Sequence, residues 1–173
     1  MKSTLNFAAV CAVFATAAVA SAQYDLTPRN VTIRGGIVLP INDALKSVKN
    51  TFMGIGVDYP LEKSLFSKGE TYISFDWVAK NLSGKGGQFF PINVNQRFML
   101  NGGAGSTPMY AFAGGGLTVY NFTSSDTKIG GRIGLGFQVS ETMNLEGCLF
   151  FAEKAKNSSI KSNSIAFYLG WRF

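Results

Sequence analysis

This 173-residue chain holds eight strand-like stretches, and all but the fifth alternate bulky apolar residues with small or polar ones at a period of two. That period belongs to an extended strand with two different faces, not to a helix, whose apolar stripe follows a 3.6-residue repeat. The last stretch is the cleanest. In SIAFYLGWRF the alternate positions are Ile165, Phe167, Leu169, Trp171 and Phe173, with Ser164, Ala166, Tyr168, Gly170 and Arg172 between them. The eight predicted strands are residues 30–40, 51–61, 70–80, 88–100, 108–121, 129–139, 143–153 and 163–173. The stretches between them, such as INDALKSVKN, NLSGKGG, FTSSDTK and KAKNSSIKS, hold most of the Lys, Ser, Asn and Gly and read as turns and loops. No helical pattern follows residue 22. Spacing of this kind predicts an all-β fold, closed into a barrel or stacked as a sandwich.

Residues 1–22 stand outside this rhythm. Lys2 gives a basic start, residues 5–19 (LNFAAVCAVFATAAV) are almost wholly apolar, and Ala20-Ser21-Ala22 forms a small-x-small cleavage site. This is the pattern of a secretory signal peptide cleaved before Gln23. The apolar run is short for a membrane span, and Val10 is too bulky to precede a lipidated Cys11. Residues 23–173 make one domain. They retain one cysteine, Cys148, so no internal disulfide is available. The formal charge is +6 before the signal takes Lys2 away, and the chain has no histidine. No segment after residue 22 is long and apolar enough for a membrane helix. That leaves open a membrane β-barrel, whose strands are individually weak signals.

The two faces differ in kind. Val31, Ile33, Ile37 and Leu39 oppose Thr32, Arg34 and Gly36; Met53, Ile55, Val57 and Tyr59 oppose Gly54, Gly56 and Asp58. Ile73, Phe75 and Trp77 oppose Ser74 and Asp76; Ile92, Val94 and Phe98 oppose Asn93, Asn95 and Arg97. Ile133, Leu135 and Phe137 oppose Arg132, Gly134, Gly136 and Gln138; Leu145, Leu149 and Phe151 oppose Asn144, Glu146 and Cys148. The fifth stretch, MYAFAGGGLTVY, is apolar on both faces and takes no firm assignment. Periodicity alone does not say which face is inside, and a soluble barrel would turn its apolar face inward. Two features favour the reverse. The polar face is built of small residues, which suit a narrow lumen, and the apolar face is bulky, which lipid tolerates. The polar face also carries both signs of charge: Arg34, Arg97, Arg132 and Arg172 against Asp58, Asp76 and Glu146. Every one of these cations is arginine, whose planar fork suits paired carboxylates, while lysine dominates the loops. They are expected to form a charge network in the lumen. Pro91 looks internal to its strand and suggests a bulge or a later strand start.

The alternation ending in Phe173 resembles the C-terminal signature of bacterial outer-membrane β-barrels. The broad resemblance is to the small eight-stranded barrels of the OmpA transmembrane domain, OmpX and OmpW types, with no close match to one member. It covers residues 23–173 in strand rhythm and is specific at the signal peptide and over residues 165–173. It implies an eight-stranded, antiparallel, up-and-down transmembrane β-barrel after a cleaved signal peptide, monomeric and located in the bacterial outer membrane. It also implies that the last strand, with Ile165, Phe167, Leu169, Trp171 and Phe173, is what the barrel assembly machinery recognises. An even strand number puts both termini on the periplasmic side, together with the short Ser140-Glu141-Thr142 turn. Trp171 and Phe173 then belong to the periplasmic aromatic girdle, and Tyr120 and Phe122 to the outer one.

Specific chemistry is sparse. GGRIGLG lacks the strand–helix context of a dinucleotide site, and SGKGG has no Ser or Thr after Lys85 for a phosphate-binding loop. Without histidine, and with one cysteine, neither a metal site nor a serine-hydrolase arrangement is expected. The barrel enzymes of the resembled family use histidine-containing sites, so none of their activities carries over. Asp58 and Asp76 read as arginine partners and Cys148 as a buried structural thiol. No cofactor and no nucleic-acid partner is expected. Lys46, Lys49, Lys80, Lys85, Lys128, Lys154, Lys156 and Lys161 fall in or beside the outer loops. They form either a solvated rim or an electrostatic belt for lipopolysaccharide phosphates. The expected role is structural or surface-interactive, with a side-chain-filled lumen. The alternatives are a passive, OmpW-like path for small hydrophobic molecules, with Tyr110 and Phe112 turned inward, and a soluble secreted ligand-binding barrel.

Overall fold

The computed structural model describes residues 31–62, 64–66, 69–83, 87–101, 108–122 and 125–173. The expected signal peptide, its boundary at residue 22 and Lys85 lie outside the described residues. Eight strands follow in order: β1 (Thr32–Pro40), β2 (Phe52–Pro60), β3 (Glu70–Ala79), β4 (Gln88–Asn101), β5 (Met109–Asn121), β6 (Ser125–Gln138), β7 (Met143–Ala152) and β8 (Ser164–Arg172). Each pairs antiparallel with its neighbours in sequence, and β1 pairs with β8, so the sheet closes into a barrel. Closure leaves no strand edge unpaired. Beyond the last strand the backbone N–H of Phe173 still donates to Val31 O at 2.9 Å.

Alternation sorts the side chains. Thr32, Arg34 and Val38 of β1, and Phe52 and Asp58 of β2, are buried in the lumen, while Ile33, Ile37, Met53 and Ile55 are exposed on the outer wall. The same division holds for Asn93 against Ile92 and Arg132 against Ile133, and Ser74 is buried where Ile73 is half-exposed. The bulky apolar face therefore points outward, opposite to a soluble barrel. β5 resolves in the same way: Tyr110, Phe112, Thr118 and Tyr120 point in, and Ala111, Gly115 and Leu117 point out.

Three local features depart from the sequence reading. β6 begins at Ser125 instead of residue 129, because the β5–β6 hairpin pairs through to Asn121 and Ser125. β4, β5 and β6 consequently run 14, 13 and 14 residues against nine for β1, β2 and β8, so one side of the wall is taller. Second, the expected loop 41–50 contains a short helix, α1 (Asp43–Val48). Pro40 ends β1, and the Asn42 side chain caps the turn by accepting from the Leu45 amide at 3.2 Å. Packing of the one buried residue, Leu45, completes α1, which is too short for the period to register in the sequence. Third, Pro91 causes neither a bulge nor a late start. β4 runs through it in constant register, and the β3–β4 ladder skips the positions of Phe90 and Pro91. The β4–β5 ladder continues there, pairing Pro91 with Thr118, so the proline turns its missing donor toward the β3 side. The register shift of β4 comes later, between Met99 and Asn101.

Candidate functional site

The lumen is the candidate site, and glycine makes its middle tier. Arg34, Gly56 and Asp76 stand side by side on β1, β2 and β3. A Cβ on Gly56 would lie 2.5 Å from Asp76 Oδ1 and 2.8 Å from Arg34 Nη2. Only an absent side chain lets Arg34 reach across β2 to Asp76, at 2.9 Å. The device repeats. Asn95, Gly114 and Arg132 form a row on β4, β5 and β6, and Arg132 Nε donates to Asn95 Oδ1 at 2.9 Å across the glycine. Tyr110, Gly136 and Glu146 form another on β5, β6 and β7, where the Tyr110 hydroxyl donates to Glu146 Oε1 at 2.8 Å.

These rows knit into one network. Arg34 also lies 2.9 Å from Asp58 and 3.5 Å from Glu146. Arg132 lies 3.2 Å from Asp58 and 3.5 Å from Asp76, and donates to the Tyr72 hydroxyl at 3.1 Å. Arg97 stands 2.7 Å from Glu70, 3.6 Å from Glu146 and 3.8 Å from Asp58. Three guanidinium groups thus face three deeply buried carboxylates, so the tier is neutral. Burying such charges is costly unless each is paired and hydrogen-bonded, which explains the density of contacts. The guanidinium faces are covered as well: Arg34 stacks on Tyr168 at 4.8 Å, Arg97 on Tyr72 at 4.6 Å and Tyr110 at 4.7 Å, and Arg132 on Phe112 at 5.0 Å. Delocalised, weakly hydrated arginine suits this sandwich, and lysine would not.

Of the seven charged residues expected to meet, six are brought together. Arg172 is not. It lies half-buried at the end of β8 and makes no ion pair among the described residues. Its position two residues beyond Gly170 puts it at the mouth, where it lines a cavity of about 350 Å³ with Glu70, Arg97, Tyr110, Glu141 and Asn144. Sequence reading missed the tyrosines Tyr72 and Tyr168 and a fourth carboxylate, Glu70, which pairs with Arg97. Parity carried the signal for the tyrosines: Tyr72 shares a face with Ser74 and Asp76, and Tyr168 with Arg172.

Toward α1 the lumen turns apolar. Phe52 and Phe89 meet edge to face at 6.3 Å, while Phe89 and Tyr120, at 6.3 Å, and Tyr120 and Phe122, at 6.2 Å, are tilted to each other. Leu45 of α1 is fully buried in the same cluster. Tyr120 therefore does not join an outer girdle. Its hydroxyl donates to Glu153 O and accepts from the Ser162 amide, both at 2.9 Å, which fastens the 153–163 loop over this end. Lys161 N–H in turn donates to Asn42 Oδ1 at 3.3 Å. On β8, Ile165, Phe167, Leu169 and Trp171 are exposed on the outer wall, as is Phe173 beyond it.

The α1 end carries the lysines. Lys154, Lys156 and Lys161 are exposed on the 153–163 loop, beside Lys128, which pairs with Asp126 at 3.4 Å. Asp126 also accepts from the Lys156 backbone N–H, so the loop is tied to β6 by its backbone and the lysine side chains stay outward. Lys46 and Lys49 stand on and just after α1, and Lys49 donates to Lys80 O at 2.8 Å. Among the described residues no three His, Cys, Asp or Glu side chains converge as metal ligands. Cys148 is a free, buried thiol on the lumen side.

No family model matches the sequence, and no curated protein matches it. Solved structures do. The outer membrane protein Ail of Yersinia pestis, in a phospholipid bilayer nanodisc, aligns with a TM-score of 0.50 at 16% identity over 84% of this chain and 99% of that one. The N-terminal β-barrel domain of Pseudomonas aeruginosa OprF aligns at 0.51 and 15% identity over 84% and 98%. The outer membrane enzyme PagL aligns at 0.51 and 13% identity over 83% and 98%. At these identities the likeness is one of fold, and the fold is that of the small eight-stranded outer-membrane β-barrels.

Proposed function

We propose that this chain is a monomeric barrel of the bacterial outer membrane with a structural and surface-interaction role. Its lumen is filled by side chains, and its loops at the α1 end face outward. The observation that carries this reading is the neutral middle tier: Arg34, Arg97 and Arg132 are held by Asp58, Asp76 and Glu146 and capped by aromatic rings. An eight-stranded interior is about wide enough for side chains to fill, and here they are large and mutually bonded. The exposed apolar wall supports immersion in lipid, where a closed sheet is the only sheet that satisfies its backbone. The paired state of every buried carboxylate among the described residues, with no histidine in the chain, supports a non-catalytic role. In the same reading the barrel assembly machinery recognises β8 through Ile165, Phe167, Leu169, Trp171 and Phe173. The exposed Lys154, Lys156 and Lys161 engage lipopolysaccharide phosphates.

Fractionation combined with gel electrophoresis tests the proposal. The protein should sediment with the outer membrane and migrate faster unboiled than boiled, because a closed barrel resists detergent. Recovery in the soluble periplasm, with no boiling shift, would contradict it.

A further inference from the structure

The alternation of β3 and β4 breaks its own rule on the outer wall beside the β2–β3 loop. Tyr72, Ser74 and Asp76 point into the lumen, so Thr71 points out; Asn95 and Arg97 point in, so Gln96 points out. The two are cross-strand partners, and both are polar. Yet Thr71 is 0% exposed and Gln96 6%. The β2–β3 loop folds back and covers them. Thr71 Oγ1 donates to Gln96 Oε1 at 2.6 Å and accepts from the Leu65 N–H at 2.7 Å. Gln96 Nε2 donates to Ser64 Oγ at 3.1 Å. Gly69 makes the return: its φ is +104°, and a Cβ there would sit 2.1 Å from Arg97 O. What the loop then presents on top of this polar seam is Leu65 and Phe66, 67% and 59% exposed.

In water the pair Thr71–Gln96 would need no cover. Against hydrocarbon it would, because an uncompensated polar group there is costly. The loop starts just past Tyr59, which is exposed on the apolar wall, so Leu65 and Phe66 continue that wall instead of interrupting it. We infer that Ser64, Leu65 and Phe66 form a lipid-facing saddle: the loop seals the polar seam and inserts Leu65 and Phe66 among the acyl chains of the leaflet at the Phe173 end. This rests on the outer wall being lipid-facing, as proposed above.

Fluorescent labelling with depth-dependent quenching tests it. In a Cys148→Ala background, Phe66→Cys, Ile133→Cys and Glu141→Cys would each be labelled with an environment-sensitive dye. Each barrel would be reconstituted in phosphatidylcholine vesicles with brominated chains. Ile133 marks the wall and Glu141 the exposed turn at the same end. The dye at position 66 should lose fluorescence to the brominated lipid as the dye at 133 does, and resist aqueous iodide. Leu65→Cys should repeat that result. If 66 and 65 behave like 141 while 133 is quenched by lipid, the saddle is wrong and the barrel reading stands. If 133 itself is quenched only by iodide, the lipid-facing wall is wrong and the saddle falls with it.

Discussion

Arg34 and Asp76 meet at 2.9 Å with neither side chain exposed, although 42 residues and an intervening strand separate them. The contact passes directly over Gly56, the residue that pairs with both. One glycine on the middle strand of three is therefore a structural element in its own right: it is the floor on which a guanidinium and a carboxylate meet.

Gly56→Ala should cost about 1–3 kcal/mol, the range for forcing extra volume into a packed interior. Its Cβ would displace Asp76 or Arg34, neither of which has open space to move into. Gly35→Ala, one strand over and facing outward, has no atom within 4 Å of the new Cβ. It should be neutral or stabilising by about 0.4–1 kcal/mol through the unfolded chain. Urea midpoints of barrels refolded into lipid vesicles compare the two, and equal midpoints would contradict the bridging role.

Arg132→Leu and Arg172→Leu should differ sharply. Removing Arg132 strips Asp58 and Asp76 of a partner and leaves buried carboxylates short of compensation, at about 3–5 kcal/mol. Arg172 is half-buried without an ion pair among the described residues, and its loss should stay within about 0.5 kcal/mol. The same unfolding experiment reads both.

Most of the wall was legible because strand parity is a strict rule: once Arg132 faces in, Ile133 must face out. The eight strands and six members of the charge network follow from that parity and from sign. The faces of the fifth strand were not legible, since MYAFAGGGLTVY offers apolar residues to both, and only pairing to β4 and β6 fixes Tyr110 and Phe112 inside. Tyr120 misled for a related reason: an aromatic near a strand end suits a girdle, but parity with Thr118 puts it in the lumen, where its hydroxyl finds Glu153 and Ser162. α1 escaped because six residues carry too little periodicity, and its stability comes from Leu45 docking in a cluster assembled from distant strands. Arg172 shares the lumen parity but sits beyond the carboxylates, and height along the barrel is not written in parity.

Leu45→Ala should loosen α1 without opening the sheet. Truncating a fully buried leucine costs about 2–5 kcal/mol, and the only other apolar contact of α1 with the core cluster is the partly buried Val48. Amide exchange should accelerate at Lys46 and Lys49, whose N–H groups bond Asn42 O and Leu45 O, and stay slow in β4 and β5. Unchanged protection at Lys46 would show that α1 is held by something other than Leu45.

Replacing Lys154, Lys156 and Lys161 together by alanine should weaken binding to lipopolysaccharide vesicles on the order of tenfold or more at low salt, with the difference shrinking as salt rises. Folding should be unaffected, because these side chains project outward while backbone groups fasten the loop. Equal binding by both proteins would reduce the rim to solvated charge.

The filled lumen is tested most directly by single-channel recording of the purified barrel in a planar lipid bilayer. A lumen crossed by the Arg34–Asp76 and Arg132–Asp58 contacts and capped by Leu45, Phe52 and Phe89 should give no steady conductance, or only small and rare openings. Large, steady single-channel steps from the unmodified protein would contradict it.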